Sequence, residues 1–142
     1  MRAFLMALCG ALPLAACAQA PLAGTSWQLV QIQAPSGAQG TVEVKLSSAY
    51  TLEFKADGTA SARLDCNVGG GPWRAEPKPG GRAGNLVFVS WMTTAAACAP
   101  ESVAHRVANA MLQVRSFALR DGRLWLSLAA DAGTLVWSPL GR

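Results

Sequence analysis

Tyr50, Leu52 and Phe54 alternate with Thr51, Glu53 and Lys55, and the pair Asp57-Gly58 follows at once. A period of two with the apolar residues on one side is the pattern of a strand that buries one face. Asp-Gly supplies the tight turn of a β-hairpin, so Thr59 to Leu64 reads as the returning strand. The same signals recur toward both ends. Trp27, Leu29 and Ile32 mark a first strand opened by Gly24-Thr25-Ser26, with a Pro, Ser and Gly loop from Ala34 to Gly40 after it. Phe117 and Leu119 lead to a turn at Asp121-Gly122, Leu124, Leu126 and Leu128 alternate with Trp125 and Ser127, and Gly133 precedes Leu135 and Trp137. The chain is therefore expected to end in a three-stranded meander.

Between these regions the pattern is less regular. Gly69-Gly70-Gly71-Pro72 is expected to end one element and to admit close backbone approach, with Trp73 opening a short strand. Pro77 to Gly84 reads as irregular, and Leu86, Phe88 and Ser90 as a further strand. From Pro100 to about Arg115 the period becomes helical, with Val103, Val107, Ala110, Met111 and Val114 on one face. Pro100 suits a first helical position and Glu101 complements the N-terminal dipole. The fold class is α+β, mostly β, with one helix packed against an antiparallel sheet.

The N-terminus carries a different message. Met1 and Arg2 are followed by an apolar run to Leu12, then Pro13 and the box Leu14-Ala15-Ala16-Cys17. A short positive start, an apolar stretch and small residues at a cleavage point form a signal peptide, and the run is too short to cross a bilayer, which takes roughly 20 apolar residues. The box resembles a bacterial lipobox, so residues 1–16 are expected to be removed, Cys17 to be acylated and residues 17–23 to form a tether. Ordinary secretion with cleavage after Ala18-Gln19-Ala20 competes, but leaves Pro21 first, where proline obstructs the peptidase. Ala18, rather than aspartate, after the cysteine favours the outer membrane, facing the periplasm, over the inner one.

Loss of Arg2 lowers the formal charge from +4 by one, and the remaining Lys and Arg are scattered singly, which disfavours nucleic acid as a partner. Of four cysteines, Cys9 leaves with the signal peptide and Cys17 takes the lipid, so the folded part keeps Cys66 and Cys98. In an exported chain two thiols point to a disulfide, worth about 3–4 kcal/mol for a loop of about 33 residues. Free thiols and a zinc site are the alternatives; with His105 the only histidine, the short paired spacings of a structural metal site are missing. Nothing calls for a cofactor or a metal. A nucleophile-base pair would need His105, expected on the solvated helix face beside Arg106, and no Gly-x-Ser-x-Gly elbow exists. Asp57 and Asp121 read as turn residues. The expectation is that the protein is not an enzyme.

One set of residues carries a family resemblance. Asp57-Gly58-x-x-Ser61-x-x-x-x-Cys66-Asn67, then Gly71 and Trp73, then Thr94-x-x-x-Cys98 before a helix, are similar in order and spacing to the META domain of HslJ-like proteins, over residues 24–139. Asp65 stands where that family usually has glycine, and Gly69 where it usually has an aromatic. The resemblance implies a strongly curled antiparallel sheet with one helix, in a small envelope protein, often a lipoprotein, linked to heat or drug stress and without an established reaction.

Asn67, Trp73 and Trp91 are the candidate binding residues. They read either as a turn asparagine and core tryptophans or as an exposed binding edge for a peptide, glycan or envelope protein. Two function classes follow: a non-enzymatic, stress-associated envelope lipoprotein held to the membrane through acylated Cys17, or a periplasmic inhibitor or binding module acting on an envelope enzyme such as lysozyme.

Overall fold

The structure, a computed structural model, describes residues 21–35, 38 and 40–140. The expected signal peptide and the expected anchor at Cys17 lie outside the described residues. Ten strands are present: β1 Thr25–Gln33, β2 Thr41–Glu43, β3 Tyr50–Phe54, β4 Thr59–Leu64, β5 Asn67–Pro77, β6 Ala83–Phe88, β7 Met92–Thr93, β8 Val114–Arg120, β9 Arg123–Leu128 and β10 Thr134–Pro139. Among the described residues one α-helix, α1, spans Ala104–Met111.

Eight of the strands form a ring. β1, β3, β4, β5, β6, β8, β9 and β10 pair antiparallel in that order, and β10 returns to β1, from Trp27 opposite Pro139 to Gln33 opposite Thr134. The sheet is thus a closed up-and-down barrel rather than an open curled sheet. Eight strands give a bore that side chains alone can fill. Here Leu29, Leu52, Phe54, Leu64, Trp73, Leu86, Leu124, Leu126, Leu135 and Trp137 do so, all but fully buried. β2 continues the wall beside the second half of β1, and β7 lies beside the first half of β5.

The spacing of the apolar residues explains two irregularities. Leu29 and Ile32 are both buried although three residues apart, and a bulge in β1 between Leu29 and Gln31 makes this fit. A second bulge between Val114 and Ser116 does the same for Val114 and Phe117 in β8. Inside the barrel, Phe54 meets Trp73 edge-on at 5.0 Å and stacks on Phe88 at 6.0 Å, and Phe88 meets Trp91 edge-on at 5.0 Å. Four rings therefore run in a row through the core.

Four sequence expectations need correction. The glycine run does not end an element: β5 passes straight through it, and Trp73 lies mid-strand. The reason is close approach, since a Cβ on Gly71 would lie 1.7 Å from the Ser90 carbonyl oxygen, and one on Gly70 2.6 Å from that of Ala60. Ser90 itself lies beyond the end of β6. The helix starts at Ala104, so Pro100 and Glu101 sit in the turn before it. The start is set by one tertiary and one local contact: the Val103 N–H donates to the Tyr50 hydroxyl (3.0 Å) and the Ala104 N–H to Ser102 Oγ (3.2 Å). Leu22, assigned above to the tether, is fully buried in the core.

The helix closes the barrel end where β3, β8 and β10 begin, burying Ala104, Val107, Ala110 and Met111. The opposite end holds the Asp57-Gly58 turn. There the Thr59 hydroxyl and N–H both donate to Asp57 Oδ1, at 2.6 and 2.9 Å, and hold its carboxyl below the usual 3.8. A depressed carboxylate contributes stability that is complete above its unfolded value, about 3.9, and is lost as pH falls through the lower folded value. Titration followed at the Thr59 amide is expected to show this loss below pH 3.8, and Asp57→Asn to abolish it. Gly71→Ala is expected to destabilise the protein by about 3 kcal/mol in urea unfolding, because backbone faces the new methyl.

Candidate functional site

Beyond β6 the chain continues alongside β5 as a strap, Trp91 to Ala99, before turning into α1. β7 begins it, with Met92 opposite Gly70 and Thr93 opposite Gly69. The Thr94 N–H then donates to the Val68 carbonyl (3.0 Å), and Thr94 Oγ1 accepts from the Val68 N–H (3.0 Å) and donates to Asn67 Oδ1 (2.9 Å). At Ala96 the strand partner is a side chain. Asn67 Oδ1 accepts the Ala96 N–H (2.8 Å) while Asn67 Nδ2 donates to the Ala96 carbonyl (3.0 Å), so the amide takes the place of a peptide group. Nδ2 also lies 3.3 Å from Cys98 Sγ. The disulfide Cys66–Cys98, with Cα atoms 5.6 Å apart, locks the far end of the strap.

Asp65 lies next to this lock with φ 58, the left-handed region that glycine adopts freely and Asp tolerates. Glycine at the equivalent family position fits the same requirement.

The other edge of the strap faces a groove of about 710 Å³. Its walls are Trp91 and Thr93 to Pro100 on one side, and Ala104, His105, Ala108, Asn109 and Leu112 of the helix region on the other. Among the described residues no Asp, Glu, Lys or Arg lines it. Ala95 and Ala97 have no main-chain hydrogen-bond partner among the described residues. Trp91 and Thr93 line the groove, while Trp91 Nε1 and Thr93 Oγ1, also without a partner, are buried beside Gly69, 3.2 and 2.9 Å from where its Cβ would stand. A neighbouring hollow of about 610 Å³ is bounded by β2, Tyr50 and the turn before α1, and carries Glu43, Lys45, Asp65 and Glu101.

Cys66 and Cys98 are joined as expected. Asn67, Trp73 and Trp91 do not form an exposed edge: they are 7%, 1% and 8% exposed. Trp73 fills the barrel and its Nε1 donates to the Thr59 carbonyl (3.1 Å). Asn67 and Trp91 nonetheless lie at the inner side of the groove. His105 is exposed, as read from the sequence, and its Nε2 lies 3.2 Å from Asn109 Nδ2. The strap edge at Ala95-Ala96-Ala97 escaped notice because its chemistry is main chain, which alanine does not advertise; Thr94 and Cys98 flanking it are the only sequence signal.

A closed eight-stranded antiparallel barrel, capped by one helix and edged along β5 by a disulfide-fastened strap, is the class this structure defines. The META domain matches residues 20–139, and the chain belongs to the META domain family. Its fold is similar to that in the NMR structure of a protein from Burkholderia xenovorans, with TM-score 0.65 and 22% identity, covering 100% of this chain and 99% of that one. It is also similar to the crystal structure of a DUF4847 family protein from Bacteroides vulgatus, with TM-score 0.56 and 15% identity over 84% of this chain and 95% of the other. No curated protein matches the sequence.

Asn67→Asp keeps the shape of the side chain but loses the donor to Ala96. We expect a loss of about 2 kcal/mol in chemical unfolding, while reduction of Cys66–Cys98 costs about 3 kcal/mol. If the strap is one unit, the two effects will be less than additive in the double perturbation.

Proposed function

We propose that this protein is a lipid-anchored, stress-associated component of the cell envelope that acts by holding another molecule in the strap-helix groove, and that it catalyses no reaction. The carrying observation is the groove itself: a hollow of about 710 Å³, within the usual ligand-site range of about 300–1,000 Å³, bordered by unpaired main-chain groups. Among the described residues His105 is its only titratable wall residue, and the group beside its Nε2 is the Asn109 amide at 3.2 Å rather than an orienting carboxylate or a nucleophile to activate, which supports the non-catalytic reading. The lipobox ending in Cys17 and the META family assignment support the envelope setting, with acylation at two positions of one residue giving stable attachment. The outer membrane, periplasmic face, is the destination we assign.

Two measurements test this. Cys17→Ser should abolish fatty-acid labelling and release the protein into the soluble fraction; persistent label refutes the anchor. Asn109 is exposed on the groove wall, so Asn109→Trp should fill the groove while leaving thermal stability within about 0.5 kcal/mol of the parent. A host lacking the protein should then regain heat tolerance with the parent chain but not with that variant. Equal rescue by both refutes a role for the groove.

A further inference from the structure

We propose that the groove takes an extended, uncharged stretch of polypeptide, which adds as a strand to the free edge of the strap at Thr93 to Ala97. This rests on the groove being the binding site, as argued above, and names the occupant.

Along an extended chain the main-chain groups of successive residues point to opposite sides. Thr94 sends its N–H to Val68 and Ala96 sends both its groups to Asn67. Ala95 and Ala97 therefore turn theirs the other way, toward the groove, where no described residue meets them. A row of unpaired N–H and C=O groups at an edge is a template for another strand. Donors and acceptors alternating along one line match a peptide main chain better than a sugar or a lipid headgroup.

Size and charge agree. An edge of five residues is about 16 Å long, which suits a peptide of five to seven residues in a hollow of about 710 Å³. Because no Asp, Glu, Lys or Arg among the described residues lines the walls, a charged segment would find no counter-charge there, whereas a neutral one loses little. Alternate side chains of the added strand would lie on Ala108 and Leu112 of the helix side, and the alanines of the strap leave room for them. At the inner wall, Trp91 is nine-tenths buried and lines the groove, so its indole N–H reports on a guest seated there.

The test uses the full-length 15N-labelled protein in detergent and an end-capped, uncharged heptapeptide of alternating valine and serine. Titration should shift the Ala95 and Ala97 amides and the Trp91 indole N–H, with a dissociation constant below about 1 mM. Ala95→Pro removes one edge N–H without touching the β5 side, and should weaken binding at least tenfold. N-methylation of alternate residues in the peptide should do the same to the unaltered protein, which keeps the test decisive even where the proline variant folds poorly. Absence of any shift at several millimolar overturns the proposal. Binding that Asn109→Trp blocks but N-methylation leaves intact overturns strand addition while leaving the groove as a binding site. Self-association through the same amides, with no response to peptide, overturns it in favour of a second copy of this chain.

Discussion

The pairing of the Asn67 side chain with the main chain of Ala96 fixes more of this structure than any other polar contact. One amide, buried at the start of β5, accepts the N–H and donates to the C=O of a single residue in the strap. It extends the sheet by one pairing without a backbone strand being there. A buried amide left unpaired costs more than the bond itself contributes, so the strap and Asn67 hold each other in place. The disulfide beside it acts on the unfolded chain instead, shortening the loop that must close. Together they set the entry angle of the chain into α1, and the Tyr50 hydroxyl then decides where the helix starts.

The rest of the fold follows from closure. Once β10 pairs with β1 the ring has no open edge of its own, which removes the usual hazard of exposed strands. The edges that survive are short: β2 outside the ring and the strap. Packing inside is dominated by leucines and a row of four aromatic rings, and Trp91 at the end of that row connects the core to the groove. Movement of the strap is thereby tied to the packing of Phe88.

Much of the architecture was legible in the residues. The hairpin around Asp57-Gly58, the terminal meander and the pairing of Cys66 with Cys98 rest on local patterns or on simple counting, and all are present. What was not legible depends on contacts distant in sequence. Closure between Thr25–Gln33 and Thr134–Pro139 leaves no local trace. Gly69 to Gly71 look like a break, but they are a place where two other stretches of backbone press against a strand. Trp73 and Trp91 could be surface or core by composition alone, and the barrel put them inside. The groove edge was hidden for a different reason, since its hydrogen-bonding groups belong to alanines.

With the proposed acyl chain on Cys17, the course of β1 would also orient the molecule. The chain enters the barrel at Pro21, which packs 3.4 Å from the Cβ position of Gly81 in the β5–β6 turn, the end away from α1 and the strap. An acyl chain on Cys17 would be four residues away, on the order of 14 Å of extended chain. So short a leash would hold the hairpin turns against the lipid headgroups and stand the barrel upright, its helix-capped mouth directed into the aqueous space. A guest would then approach from solution, unobstructed by the bilayer.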